Sequence, residues 1–258
     1  MTLQTFWPML KKELYEQYRT YRTLIALVIL LLLGLSAPIV TKLTPDLLQN
    51  LGGGIKIVLP PQTATDSLNS YIKNMVQLPA IMIILLTMGC VADERNHGTA
   101  ATVLTKPVPR AVFVLAKFLA YCLLIFTGTV LTAVGAYFYT YQLFSALPSG
   151  PFLLLNLALF IFFMLLLALT VLASVLFRNA IAAGGVAFAG FLVLSILPAL
   201  NATVAQALPS ALFGSTQVTQ LLAGTLPLGD ILWPLGFGLG LTLVLISIAC
   251  LVFQRQEI

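Results

Sequence analysis

The stretch Phe152-LLLNLALFIFFMLLLALTVLASVL-Phe177 carries no Asp, Glu, Lys or Arg. A helix rises about 1.5 Å per residue, so a run this long reaches across the roughly 30 Å hydrocarbon core of a bilayer. Its apolar residues are spread around the whole circumference and not gathered on one stripe, which suits a helix with lipid or protein on every side. Five more apolar runs flank it: 24–41, 76–92, 111–141, 180–200 and 231–253, with the quoted run, 152–177, fourth in chain order. The run at 76–92 is the shortest and is interrupted by Gln77 and Pro79. That at 111–141 exceeds the length of one crossing, and 180–200 is the most diluted by glycine and alanine. Six such runs predict an all-α polytopic membrane protein with a single transmembrane domain over 1–258.

Composition agrees. Hydrophobic residues make up 60% of the chain and charged residues 8%, with a mean hydropathy of +1.03. Soluble domains are nearer 45–50% apolar and about 25% charged. The net charge is +5, from 13 basic and 8 acidic residues. These cations lie beside apolar runs, where they set topology and meet anionic lipid; nucleic acid is not the implied partner. With the N-terminus inside, one side holds Lys11, Lys12, Arg19, Arg22, Arg95, Lys106, Arg110, Lys117, Arg178 and Arg255, and the other only Lys42, Lys56 and Lys73. That asymmetry predicts both termini in the cytoplasm and a plasma-membrane location. The first run starts too late and runs too long for a cleaved signal peptide, so the N-terminus is expected to be retained. Cys90, Cys122 and Cys250 fall in or beside apolar runs and read as small buried hydrophobes, not as disulfide or metal ligands.

Residues 1–23 have a helical period. Leu3, Phe6, Trp7, Leu10, Leu14, Tyr18 and Tyr21 share a face, Lys12, Glu16, Arg19 and Arg22 fall opposite, and Lys11 and Glu13 flank. This predicts an amphipathic helix in the headgroup plane, rings at the interface and cations outside. The segment 41–75, with Gly52-Gly53-Gly54 and Pro60-Pro61, reads as a long polar outer loop, with a short helix over 68–76 leading into the second span. The segment 201–228 reads as a second outer stretch with short interfacial helices over 204–208 and 218–222.

Charge is concentrated in the loop from Val91 to Arg110. Asp93, Glu94 and Arg95 close the second span; Gly98 permits a sharp turn and Thr99 caps a short helix to about Thr105. Pro107 and Pro109 end that helix, and Arg110 and Lys117 follow at the start of the third span. The pattern predicts a short cytoplasmic helix parallel to the membrane, placed to receive force from a soluble partner.

This ordered set, Glu94, Gly98, Thr99, Leu104, Pro107, Arg110 and Lys117, within a six-span chain that opens on Lys12-Glu13, Arg19 and Arg22, resembles the membrane (permease) subunit of a type-2 ABC exporter. The resemblance covers the chain in topology and residues 90–120 in motif. It implies a coupling helix near 98–105 seated on a separate ABC ATPase subunit, present in two copies, and a second permease subunit, a homodimer being favoured over a heterodimer. ATP and Mg would sit on the ATPase, with no cofactor, catalytic residue or metal on this chain. Asp93, Glu94, Arg95, Gly98, Thr99, Leu104, Pro107 and Arg110 are then the expected partner contacts, with Trp7, Lys12, Glu13, Arg19 and Arg22 marking the interfacial helix. Ala100-Ala101 and Asn96-His97 depart from the more polar residues usual there.

Other readings fare worse on the residues. The chain has no G-x-x-x-x-G-K-[ST] loop, so it lacks its own nucleotide site. A lipid-modifying enzyme needs converging carboxylates, histidines or a metal set, and His97 is the sole histidine. A secondary transporter or channel usually carries ionisable groups at the midplane; Asp230 sits at a span edge and reads as solvated or capping. Gly236-x-x-x-Gly240, and Gly184, Gly185 and Gly190, read as small-residue surfaces open to close helix packing.

Overall fold

The computed structural model describes residues 3–51, 62–96, 109–144, 147–200 and 206–256. In chain order the helices are α1 (Leu3–Arg19), α2 (Arg22–Leu51), α3 (Ala64–Thr87), α4 (Ala92–Asn96), α5 (Arg110–Leu143), α6 (Ser149–Leu176), α7 (Ala180–Leu200), a 3-10 turn (Pro209–Phe213), α8 (Ser215–Leu222) and α9 (Leu228–Arg255). Among the described residues, six helical stretches are long and apolar enough to cross a membrane: Arg22–Pro45, Ala64–Asn96, Arg110–Leu143, Ser149–Leu176, Ala180–Pro198 and Leu228–Arg255. The all-α, six-span expectation is met.

The helix that fixed the class is also the hub. α6 packs against α3, α5, α7 and α9, and Leu155, Leu159, Phe162, Phe163, Leu166 and Val171 along it are almost wholly buried. α2 and α7 lie at the margin, and Leu24, Leu32, Ile181, Val193 and Ile196 face outward. In a bilayer that exposure meets acyl chains and carries no hydrophobic penalty.

Close approach at the margin is made by glycine. A Cβ on Gly34 of α2 would lie 2.2 Å from Thr132 Cγ2 of α5, and one on Gly128 of α5 would lie 2.3 Å from Leu30 Cδ1. The glycines singled out in the sequence behave differently. Gly184 lies under Met88 and Gly190 under Leu169, whereas a Cβ on Gly185, Gly236 or Gly240 would meet nothing.

The second span departs from expectation. α3 runs unbroken from Ala64 through residue 76, so no separate helix over 68–76 is seen; of the expected loop over 41–75, residues 41–51 continue α2 past Pro45 to Leu51 and 64–75 belong to α3, while 52–61, with Gly52-Gly53-Gly54 and Pro60-Pro61, lie outside the described residues. Thr63 caps α3 in a reciprocal box. The Thr63 N–H and hydroxyl donate to Asp66 Oδ2 (2.9 and 2.7 Å), and the Asp66 N–H donates to Thr63 Oγ1 (3.4 Å). Two polar residues of its first half, Ser67 and Tyr71, are buried and meet distant partners. The Tyr71 hydroxyl donates to Asn156 Oδ1 at 2.7 Å, and the hydroxyls of Ser67 and Thr140 lie 3.3 Å apart. In the 201–228 stretch, α8 (Ser215–Leu222) covers the expected short helix at 218–222; of the one expected over 204–208, residues 206–208 form a turn and bend and not a helix, and 204 and 205 lie outside the described residues.

Tyr71→Phe leaves Asn156 Oδ1 buried without its donor, and is expected to destabilise the chain by about 1–3 kcal/mol. Adding Asn156→Leu should return part of that loss. Thermal unfolding in detergent, followed by tryptophan fluorescence, checks both; equal melting of Tyr71→Phe and wild type would refute the assignment.

Candidate functional site

Polar chemistry collects at the end of the bundle that carries α1. α1 meets α2 through a sharp turn at Tyr21, whose φ of +56° is left-handed. The Thr20 hydroxyl donates back to Glu16 O at 2.8 Å, and the Tyr21 N–H donates to Tyr18 O. The turn folds α1 onto α5. The face it buries is Met9, Leu10, Glu13 and Gln17. Leu10 belongs to the apolar face read from the sequence, whereas Trp7 and Tyr18 of that face, and Tyr15 beside it, point outward at 57%, 74% and 65% exposure. The Lys11 ammonium lies 5.4 Å from the Trp7 ring centre. Arg19 and Arg22 are exposed, as expected.

Glu13 is buried because a cation is waiting for it. Lys117, two turns into α5, is 2% exposed. Its ammonium donates to Glu13 Oε2 at 2.9 Å and to Glu94 Oε1 at 2.5 Å, and lies 5.0 Å from the Phe113 ring centre. A second cation closes the network from the rim: Lys12 Nζ is 3.0 Å from Glu13 Oε1, 3.2 Å from Glu16 Oε2 and 3.5 Å from Glu94 Oε1. Burial opposes the charge on Lys12, but Glu13 and Glu94 outweigh it and hold the ammonium above its ordinary pKa. Glu13, Glu16 and Glu94 are close enough to hold a cation, and two ammonium groups occupy that role. Three helices are thus joined: α1 through Lys12, Glu13 and Glu16, α4 through Glu94, and α5 through Lys117. A polar cleft of about 80 Å³ beside the network also reaches Gln17, Arg22, Asp93 and Tyr121.

α4 is placed by a break. α3 ends at Thr87, the chain turns over 88–91, and α4 resumes at Ala92. Two amides at the restart, Val91 N–H and Ala92 N–H, both donate to Ser174 Oγ of α6 at 3.1 Å. Ser174 therefore does from another helix what a cap residue does from its own. Within α4 the expected contacts separate. Asp93 is exposed, Glu94 turns to Lys117, and Arg95 reaches the end of α6, donating to Val175 O at 3.0 Å and Gln256 Oε1 at 2.8 Å. Arg110 donates to Gln254 O at 3.2 Å and to Gln256 O. Gly98, Thr99, Leu104 and Pro107, and with them the expected helix over 98–105, lie outside the described residues.

The sequence named Glu94 and Glu13 but not their meeting point. Lys117 was placed in the motif order without a role, and Ser174 and Gln256 were not singled out. A lysine inside an apolar run is the signal that could have found the network, since such a group must be paired.

A six-span membrane protein with a buried ionic junction at one end defines the class. Over residues 7–258 the chain matches the family described as ABC-2 family transporter protein, and it belongs to that family. It is also 27% identical over 142 residues to the uncharacterized transmembrane protein YxlG of Bacillus subtilis (strain 168). That match spans 53% of this chain and 54% of the relative, so the chain covers about half the relative's length. Membership makes the chain a membrane component of a transporter.

Lys117→Met strips the counter-charge from two carboxylates and is expected to cost about 3–5 kcal/mol. Replacing the set together, as Glu13→Leu, Lys117→Met and Glu94→Leu, should melt much closer to wild type, because no buried charge is left unpaired. Thermal unfolding of the three proteins, wild type, Lys117→Met and the triple variant, in detergent decides it; a triple variant less stable than Lys117→Met alone would contradict the buried ion set.

Proposed function

We propose that this chain is the permease of an ATP-driven exporter in the plasma membrane. Two copies form the pathway and two separate ABC ATPase subunits supply the work. The α1-bearing end faces the cytoplasm, together with both termini, following the distribution of Lys and Arg. The segment 97–108 between α4 and α5 is the ATPase contact, and the Glu94–Lys117–Glu13 junction carries its movement into the spans.

That junction is the observation on which the reading leans. Glu94 stands three residues before the proposed contact segment and is bonded to a lysine buried in α5. A push on the segment displaces α4, and α4 cannot move alone without parting a buried cation from its carboxylate. Rigid pieces and a few high-stakes polar contacts are the ordinary means by which force travels in a protein. Cargo of amphipathic character fits the opposite end, where a cavity of about 870 Å³ lies among α3, α7, α8 and α9. Gln77, Ser195, Gln217 and Asp230 line it with Phe188 and Phe191, a mix of apolar wall and few polar groups typical of ligand sites. α7 offers the surface for the second copy: its span is the least covered within the chain, and Gly185 leaves its outer side flat.

The test is purification of the chain with its ATPase, followed by ATP hydrolysis in nanodiscs. Glu94→Gln keeps size and removes charge. It is expected to lower the turnover of the assembled complex by about tenfold, or to release the ATPase, while membrane insertion is retained. Gly98→Val should act alike. Wild-type copurification and turnover in both variants would refute the coupling role, and a wild-type chain that captures no ABC ATPase would refute the reading as a whole.

A further inference from the structure

The last turn of α9 has a relation to the proposed contact segment that the coupling reading does not use. Phe253, fully buried, stacks on Phe113 of α5 with ring centres 5.3 Å apart and planes 8° from parallel. This fixes the end of α9 beside the start of α5. From there the Gln256 side chain bridges two other elements: its Oε1 accepts from Arg95 of α4, and its Nε2 donates to Val175 O of α6 at 3.0 Å. Val175 O is among the last carbonyls of α6, which have no partner within that helix. It accepts from both Gln256 and Arg95, a cation where the helix dipole favours one. The backbone of the same turn accepts from Arg110, through Gln254 O and Gln256 O.

Arg95 and Arg110 are the charged residues on either side of 97–108, and both are held by one short piece of chain more than a hundred residues away in sequence. We propose that the last turn of α9 is a clasp that fixes where the segment 97–108 leaves the bundle and where it returns. Gln256 is the positioning residue of that clasp. The Glu94–Lys117 junction transmits movement, whereas the clasp sets the resting position from which movement starts. The inference rests on the coupling reading for its functional half; its structural half stands on the contacts alone.

Two measurements on the intact chain in nanodiscs separate these halves. The variants are Gln256→Leu, which removes acceptor and donor, Gln256→Glu, which keeps an acceptor for Arg95, and Gln254→Leu, which leaves the backbone carbonyls in place. Hydrogen–deuterium exchange at the α4 amides, Asp93 and Arg95, is expected to quicken roughly tenfold in Gln256→Leu and to stay near wild type in the other two. In complexes with the ATPase, Gln256→Leu should lower kcat for ATP hydrolysis by about three- to tenfold with KM for ATP unchanged, and Gln256→Glu should recover most of it. Unchanged α4 exchange in Gln256→Leu overturns the clasp. Faster exchange with an unaltered kcat overturns its positioning role. Failure of the wild-type chain to bind any ABC ATPase overturns the coupling reading and this role with it, while the exchange data still decide the clasp.

Discussion

A buried ammonium has to be neutralised where it lies, and the α1 end of this protein is arranged around that requirement. Lys117 lies on α5 with 2% of its surface exposed. An isolated charge there would be shed or would unfold its surroundings. Glu13 and Glu94 prevent both, and neither is supplied by α5. α1 must therefore fold back at Tyr21 and lie along α5, and the second span must end in a turn that brings α4 round to the same place. One cation thus dictates the path of two chain segments.

The break between α3 and α4 shows how such a path is made tolerable. Interrupting a helix exposes amides that need acceptors. Here the acceptor is the Ser174 hydroxyl, on the hub helix that packs against α3, α5, α7 and α9. The same helix then ends at Val175–Leu176, and its spare carbonyl takes Arg95 and Gln256. α6 thereby does two jobs: its length is apolar enough to organise the bundle, and its final turn is polar enough to anchor the elements that surround the ionic junction. Local openings in this region need several polar contacts to part at once, which favours discrete arrangements over gradual bending.

How far the sequence was legible depended on whether the needed partner was near in the chain. Six apolar runs identify six spans because hydropathy is a local property. The Lys12-Glu13 pair and the order from Glu94 to Lys117 are likewise visible as text. The first half of α3 reads from sequence as the end of a loop followed by a separate short helix because Ser67, Asn69, Ser70, Lys73 and Asn74 look solvent-facing. What buries part of that stretch is Thr140 and Asn156, which lie 73 and 85 residues from Ser67 and Tyr71. Even so, the Thr63–Asp66 box stood in the sequence as a start signal. Glu13 suffered in the same way. By helical period it only flanks the apolar face, and its inward turn is explained by a lysine 104 residues on. Ser174 and Gln256 gave no warning, since a lone serine in a span and a glutamine after one are ordinary residues until the elements they hold are placed.

Why should this junction be ionic at all, when the rest of the bundle is held by apolar contact? Two aliphatic helices can slide by an ångström at small cost, because each lost contact is replaced by a similar one. A buried ion pair has no such substitute. Parting Lys117 from Glu94 leaves charges stranded in a poor solvent, a cost far above that of losing a methylene contact. Lys12, with its side chain 40% exposed, shares Glu94 from the rim, so the carboxylate keeps a partner only for displacements that carry α1 along. The arrangement therefore resists independent motion of α1, α4 and α5 and permits their motion together. A membrane domain with no charged centre in its spans gains in this way one stiff connection, at the end where charge and water are available.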